Sequence, residues 1–159
     1  MTGKQGGVLF LLFSVGPARY ALPVDRIVEI VPLVDVQPIP QAPDPVLGLM
    51  NYRGRPVPVI DLRLQFLREP SERNLSTRIV VVWWDHPQGP LVGLMAEKAT
   101  ETDKFPESEF LDQSIQLPQA LQLGPVRMSE HGMVQMVLVE RLLTDEMKTL
   151  FAGVTHEVR

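Results

Sequence analysis

Apolar residues gather in short runs, at 8–15, 20–30, 57–62, 78–84, 91–96 and 133–139, separated by stretches containing glycine, proline or charge. Runs this short, rich in valine, leucine, isoleucine and aromatic residues, predict β-strands, and their spacing predicts an all-β barrel or a pair of barrels. Several are apolar without alternation, a pattern that periodicity alone shares between doubly buried strands and buried helices. Gly16-Pro17 predicts a turn, after which Arg19-Tyr20-Ala21-Leu22 resumes strand-like sequence, so 8–15 is expected to be the first strand of a hairpin. Lys4 ahead of that run gives it the outline of a signal peptide, but no small-x-small cleavage signal follows. No apolar run reaches the length of about 18 residues that a bilayer-spanning helix needs, and direct membrane insertion is not expected.

Between the runs, Pro32, Pro38, Pro40, Pro43 and Pro45 predict an extended or turning loop over 31–45. Pro56 and Pro58 remove two donors from the same side of one predicted strand, which should therefore lie at a sheet edge there. Turn-forming and charged residues over 67–77 suggest a boundary between two halves. A faint internal repeat supports halves: 20–26 lines up with 92–98, and Asp61 after Val59-Ile60 lines up with Glu140 after Leu138-Val139. The segment 102–122 is more polar, with a short helix plausible near 106–110. A clearer helix follows Thr144 as N-cap: Asp145 and Glu146 suit its positive start, Met147, Leu150 and Phe151 form one apolar face, and Gly153 suits its end.

With 159 residues, 45% apolar and 21% charged, the composition is that of a folded globular chain, and the net charge of −4 disfavours a general nucleic-acid binder. The absence of cysteine excludes disulfides, thiolate metal sites and cysteine nucleophiles. His86, His131 and His156 are far apart, and no G-x-S-x-G elbow, H-E-x-x-H pair or phosphate-binding glycine loop occurs. Glu29, Asp61, Glu97 and Glu101 could form a carboxylate pair only by tertiary convergence; Asp61 is expected to cap the turn after its strand and the others to be solvated or ion-paired. Arginines dominate 53–78 and acids dominate 97–112, so opposed patches could orient protein partners, or could be ordinary solvated surface. Asn51 and Gly54 frame a turn that carries Arg53, whose planar charged fork could either bridge to Asp61 or Glu29 or reach a partner.

The stretch Asn51-Tyr52-Arg53-Gly54-Arg55-Pro56-Val57-Pro58-Val59-Ile60-Asp61-Leu62 resembles the N-L-R-G-x-x-x-P-V-x-D-L signature of the CheW family, with tyrosine at 52 where leucine is usual. Residues 20–30, from Tyr20 through Pro23, Val28 and Glu29 to Ile30, resemble that family's second segment. The resemblance implies one domain over 8–153: two small SH3-like five-stranded β-barrels on a shared hydrophobic core, with short helices including a C-terminal one. The approximate halves are 16–70 and 76–140, with terminal segments crossing between them. It further implies a non-catalytic cytoplasmic adaptor at membrane-associated arrays, joining the cytoplasmic tip of a methyl-accepting chemoreceptor to the regulatory domain of the histidine kinase CheA, without cofactor or metal. Receptor docking would then use Ile27, Glu29 and Arg53, with Leu94 and Ala99 on the opposite wall of a groove, and kinase docking would use Val46, Leu47 and Gly48. The segments 76–78 and 99–102 resemble adaptors of Wsp-type surface-sensing systems. A small-barrel nucleic-acid module and a hydrolytic β-domain with acids assembled from separate loops stand as alternatives.

Overall fold

The computed structural model describes residues 7–110, 124–129 and 132–157. In chain order its strands are β1 (Val8–Val15), β2 (Ala18–Pro23), β3 (Ile27–Pro32), β4 (Val46–Tyr52), β5 (Arg55–Asp61), β6 (Arg78–Trp83), β7 (Leu91–Phe105), β8 (Val126–Ser129) and β9 (Gly132–Met136). Helix α1 (Leu62–Leu67) follows β5, and α2 (Asp145–Glu157) ends the described chain. Of the polar segment 102–122, residues 111–122 lie outside the described residues; before them, Glu107–Glu109 forms a single 3-10 turn, close to the expected short helix.

Two five-stranded SH3-like barrels result, with orders β3-β6-β7-β5-β4 and β7-β1-β2-β9-β8. Strand β7 belongs to both. Its first part, through Ala96, pairs with β6, and from Glu97 to Phe105 it pairs with β1. Lys98 at φ 53° and a register shift between Leu12 and Ser14 mark the bend where it changes barrel. The first barrel is closed by the chain after β3: Gln37 N–H donates to the Leu49 carbonyl at 2.8 Å, and Leu49 N–H returns the bond at 2.8 Å. In the second, Arg127 of β8 ties back to the end of β7, bonding Glu109 at 2.6 Å and lying 4.1 Å over the Phe105 ring.

Alternation along the strands sorts side chains into three clusters. Phe10 and Leu12 of β1 point into the second barrel with Phe105 and Phe110, whereas Leu11, Phe13 and Val15 point into a core shared by both barrels. On β6, Ile79 and Val81 fill the first barrel while Val80 and Val82 face the same shared core. These strands are buried on both faces, which is why their sequences are apolar without alternation. Helix α2 seals the shared core with Met147 and Phe151, both 1% exposed, and Thr144 Oγ1 accepts the Met147 N–H at 3.1 Å as its cap.

Two expectations are corrected. The halves 16–70 and 76–140 are not the units of pairing, because β3 pairs with β6 and β5 with β7 across that boundary, while β2 joins the barrel of β9. Closing a barrel from distant strands satisfies more edges than folding each half on itself. Gly153 does not end α2, which runs on to Glu157. The two left-handed residues of the β4–β5 turn are Arg53 (φ 53°) and Gly54 (φ 83°). The proline expectation agrees with the pairing: at Pro56 and Pro58 β5 touches only β4, and it joins β7 from Val59 onward.

Asp61 is the polar pin of the first barrel. At 1% exposure, its Oδ1 accepts from Arg63 N–H (3.1 Å), Leu64 N–H (3.3 Å) and Ser71 Oγ (2.6 Å), and its Oδ2 from Ser71 N–H (3.0 Å). It thus caps α1 and anchors the loop over 68–77 at once. Beside it, Arg63 bonds both oxygens of Glu97 at 3.2 and 3.0 Å and Glu69 at 2.9 Å, and the Glu72 N–H donates to Glu97 at 2.7 Å. Asp61→Ala removes a helix cap and strands the buried Ser71 donors; it should cost about 2–4 kcal/mol of unfolding free energy, read as a lowered urea midpoint. A loss below about 0.5 kcal/mol would show that the pin carries no weight.

Candidate functional site

The turn between β4 and β5 has two residues, Arg53 and Gly54, both at positive φ, the type I′ geometry whose twist suits a hairpin. Asn51 contributes through its side chain, Oδ1 accepting the Gly54 N–H at 2.8 Å. The turn is the tip of the β4–β5 hairpin, beyond the Gln37–Leu49 closure, and there side chains of the hairpin meet β3. Glu29 Oε1 accepts two hydrogen bonds, from the Tyr52 hydroxyl at 2.6 Å and from Arg53 Nη2 at 2.8 Å. The Arg53 guanidinium also lies 5.4 Å from the centroid of the Tyr52 ring.

This constellation faces solvent: the Arg53 side chain is 72% exposed and that of Glu29 37%. The Tyr52 hydrogen bond holds the Glu29 carboxyl below the usual range; partial desolvation opposes it, and the charge and hydrogen bond of Arg53 add to it. The same bond to Glu29 raises the Tyr52 hydroxyl, with desolvation adding. A carboxyl lowered in the folded state stabilises the fold above its ordinary range, and that contribution is lost as pH falls through the lowered value. Of the two bridges open to Arg53, the one formed is to Glu29, since Asp61 is buried and already engaged. An exposed pair of this kind contributes little to stability, so the fold does not require it.

The other sequence-predicted positions divide by burial. Ile27 is half-buried on β3 and packs against the shared core. Leu94 and Ala99 are 1% and 2% exposed within that core, so the expectation that they line a surface groove is corrected: β7 is covered where they sit. Val46 is likewise a core residue at 7%, whereas Leu47 is half-buried against the first-barrel cluster. Gly48 has φ 141°, and a Cβ there would meet the Gln37 carbonyl oxygen at 2.0 Å. Its missing side chain makes room for the chain that closes the barrel, where the sequence suggested room for a partner.

Sequence reasoning missed Tyr52 as a site residue, although its departure from leucine was the available signal, and it missed Gln37, which carries none. The arginine-rich stretch is partly internal, with Arg53 on Glu29, Arg63 on Glu97 and Glu69, and Arg78 Nε on the Leu75 carbonyl at 3.2 Å. In the acidic stretch Glu97 and Glu109 are paired, and Glu101 lies 3.8 Å from Arg19; Asp112 lies outside the described residues. His86 lies 3.0 Å from Asp85 on an exposed turn, and His131 lies outside the described residues. Among the described residues no three histidine or carboxylate side chains gather as a metal would need.

Comparison with known proteins places this geometry. The chain is 36% identical over 101 residues to the chemotaxis protein CheW of Helicobacter pylori, covering 64% of this chain and 59% of that one. It is 32% identical over 82 residues to CheW of Klebsiella aerogenes, covering 52% and 49%. The matches thus span about half to three-fifths of the length of these curated relatives. In structure it resembles the scaffolding protein CheW of Thermoanaerobacter tengcongensis with a TM-score of 0.76 at 22% identity, covering 87% of this chain and 88% of that one, a likeness of fold. The model of the CheW-like domain matches residues 9–147, nearly the whole barrel pair with the start of its sealing helix, and this chain belongs to that family.

Proposed function

We propose that this protein is a non-catalytic chemotaxis adaptor that couples the cytoplasmic tip of a methyl-accepting chemoreceptor to the regulatory domain of a CheA-type histidine kinase, in the cytoplasm at membrane-associated arrays. The observation that carries the reading is the exposed Glu29–Tyr52–Arg53 cluster where the hairpin turn meets β3. A guanidinium held at a turn, with a carboxylate beside it, suits recognition of a charged helical surface far better than turnover of a substrate. Family membership and the relatives named chemotaxis protein support the same direction. Such an adaptor alters signalling only by binding the states of its partners with unequal free energy, or by fixing their geometry and effective concentration.

For receptor docking, the proposal retains Ile27, Glu29 and Arg53. Arg53→Glu should weaken binding of a receptor-tip fragment by about 2 kcal/mol or more, roughly thirtyfold in Kd by isothermal titration calorimetry. Its melting temperature should fall by no more than about 4 °C, the shift that about 1 kcal/mol gives in a domain of this size. An equal loss of stability and binding would return Arg53 to a structural role.

For kinase docking, Leu47 is the half-buried apolar side chain of the 46–48 segment and the one able to enter a partner pocket. Leu47→Asp should abolish co-purification with the kinase regulatory domain while receptor binding persists; undiminished kinase binding would remove Leu47 from that surface. Gly48→Asp is no test of docking, because the fold itself excludes a side chain there. Gly48→Ala alone should destabilise the domain by about 2 kcal/mol or more, measured by chemical unfolding, and a neutral outcome would refute the tight seam.

A further inference from the structure

The tyrosine at 52 gives the cluster a property that leucine would not. Glu29 holds two donors on one oxygen, Oε1, and no hydrogen bond is found on its Oε2 among the described residues. Arg53 spends only Nη2, so the rest of its fork is uncommitted, and its side chain is 72% exposed. The pair is poised to separate, and separation would ordinarily leave the carboxylate to water. Here the Tyr52 hydroxyl remains on it, in a 2.6 Å bond to an ionised acceptor, the short range of charge-assisted hydrogen bonds.

We propose that Tyr52 is a positioning residue: it keeps Glu29 in place so that Arg53 can exchange Glu29 for an acidic side chain on the docking partner. This rests on the receptor-docking reading above and names the chemistry of its contact. The charged groups around the exchange are Glu29 on β3, Arg53 on the turn and Arg55 at the start of β5, an excess of one positive charge that favours an incoming carboxylate. The Tyr52 ring stays beneath the guanidinium as it turns outward, and its hydroxyl maintains the carboxylate orientation that would otherwise relax. With leucine at this position, Glu29 would lose its second side-chain donor, and turning Arg53 outward would leave the carboxylate to water.

Tyr52→Phe isolates the hydroxyl, since the ring that packs against the first barrel is kept. Two measurements on the full chain decide the matter: side-chain carboxyl NMR titration of Glu29 in the free protein, and calorimetric binding to a receptor-tip fragment. The Glu29 pKa should rise in Tyr52→Phe, and the fragment should bind about three- to tenfold more weakly, because the hydroxyl's bond to Glu29 counts for more once Arg53 has left the carboxylate, with the melting temperature little changed. In an Arg53→Ala background, Tyr52→Phe should cost no further affinity. An unmoved Glu29 pKa overturns the positioning role whether or not any partner binds. Wild-type and Tyr52→Phe proteins that bind equally well overturn the exchange alone, and an undiminished loss in the Arg53→Ala background shows direct contact between Tyr52 and the partner instead. Failure of the wild-type protein to bind any tip fragment sinks the adaptor reading, and the exchange falls with it.

Discussion

A backbone carbonyl sits where a side chain at position 48 would be, and the first barrel closes because nothing is there. Gln37 reaches Leu49 with a reciprocal pair of hydrogen bonds only if β4 offers a bare Cα one residue earlier. That contact turns an open sheet into a barrel, removes an unpaired edge and fixes where β3 stands against the β4–β5 hairpin. The distance from Glu29 to Tyr52 and Arg53 is set by the same closure. A surface cluster of three side chains is thus geometrically downstream of one buried glycine.

The barrels themselves were legible because strand length and composition are local properties. The short apolar runs at 78–84 and 91–96 could scarcely bury themselves otherwise, and the turns at Gly16-Pro17 and Arg53-Gly54 punctuate the chain. What sequence did not disclose is which strand pairs with which. The weak repeat suggested two consecutive halves, yet β7 leaves one barrel at Ala96 and enters the other at Glu97, bending at Lys98, a position with no residue-type signal for positive φ. Long-range pairing is decided by total burial over both faces, and β1 and β6 carry apolar residues toward two cores at once.

The candidate site was half legible, and the division follows burial. Arg53 and Glu29 belong to motif segments whose tertiary meeting could be offered as one bridge among two, and it is the one formed. Leu94, Ala99 and Val46 occupy apolar runs, where a sequence cannot distinguish a side chain lining a groove from one filling a core. Asp61 was readable as a cap from its place after a strand, but its second task, holding Ser71 ten residues on, depends on how the loop over 68–77 returns to the sheet. Gly48 was offered as a kinase contact; the group that approaches it in the fold is the protein's own backbone.

These observations bear on how the proposed adaptor could link two partners. Leu47 and Tyr52 stand on the same strand, five residues apart, a separation of about 17 Å along an extended chain. Between them lie Gly48 and Leu49, which hold the seam, and the hairpin register from Met50 to Tyr52 is bonded to β5. A strand held from both sides does not bend freely, and the Asp61 and Arg63 networks fix the far end of its partner strand in buried or half-buried polar contacts. Displacing either proposed docking residue along the strand would therefore strain the seam, a cost felt at the other. Stiffness of this kind favours an adaptor that imposes geometry on its partners. The Glu29–Tyr52–Arg53 cluster is the exception: exposed and only partly committed, it retains the freedom that the strand beneath it lacks.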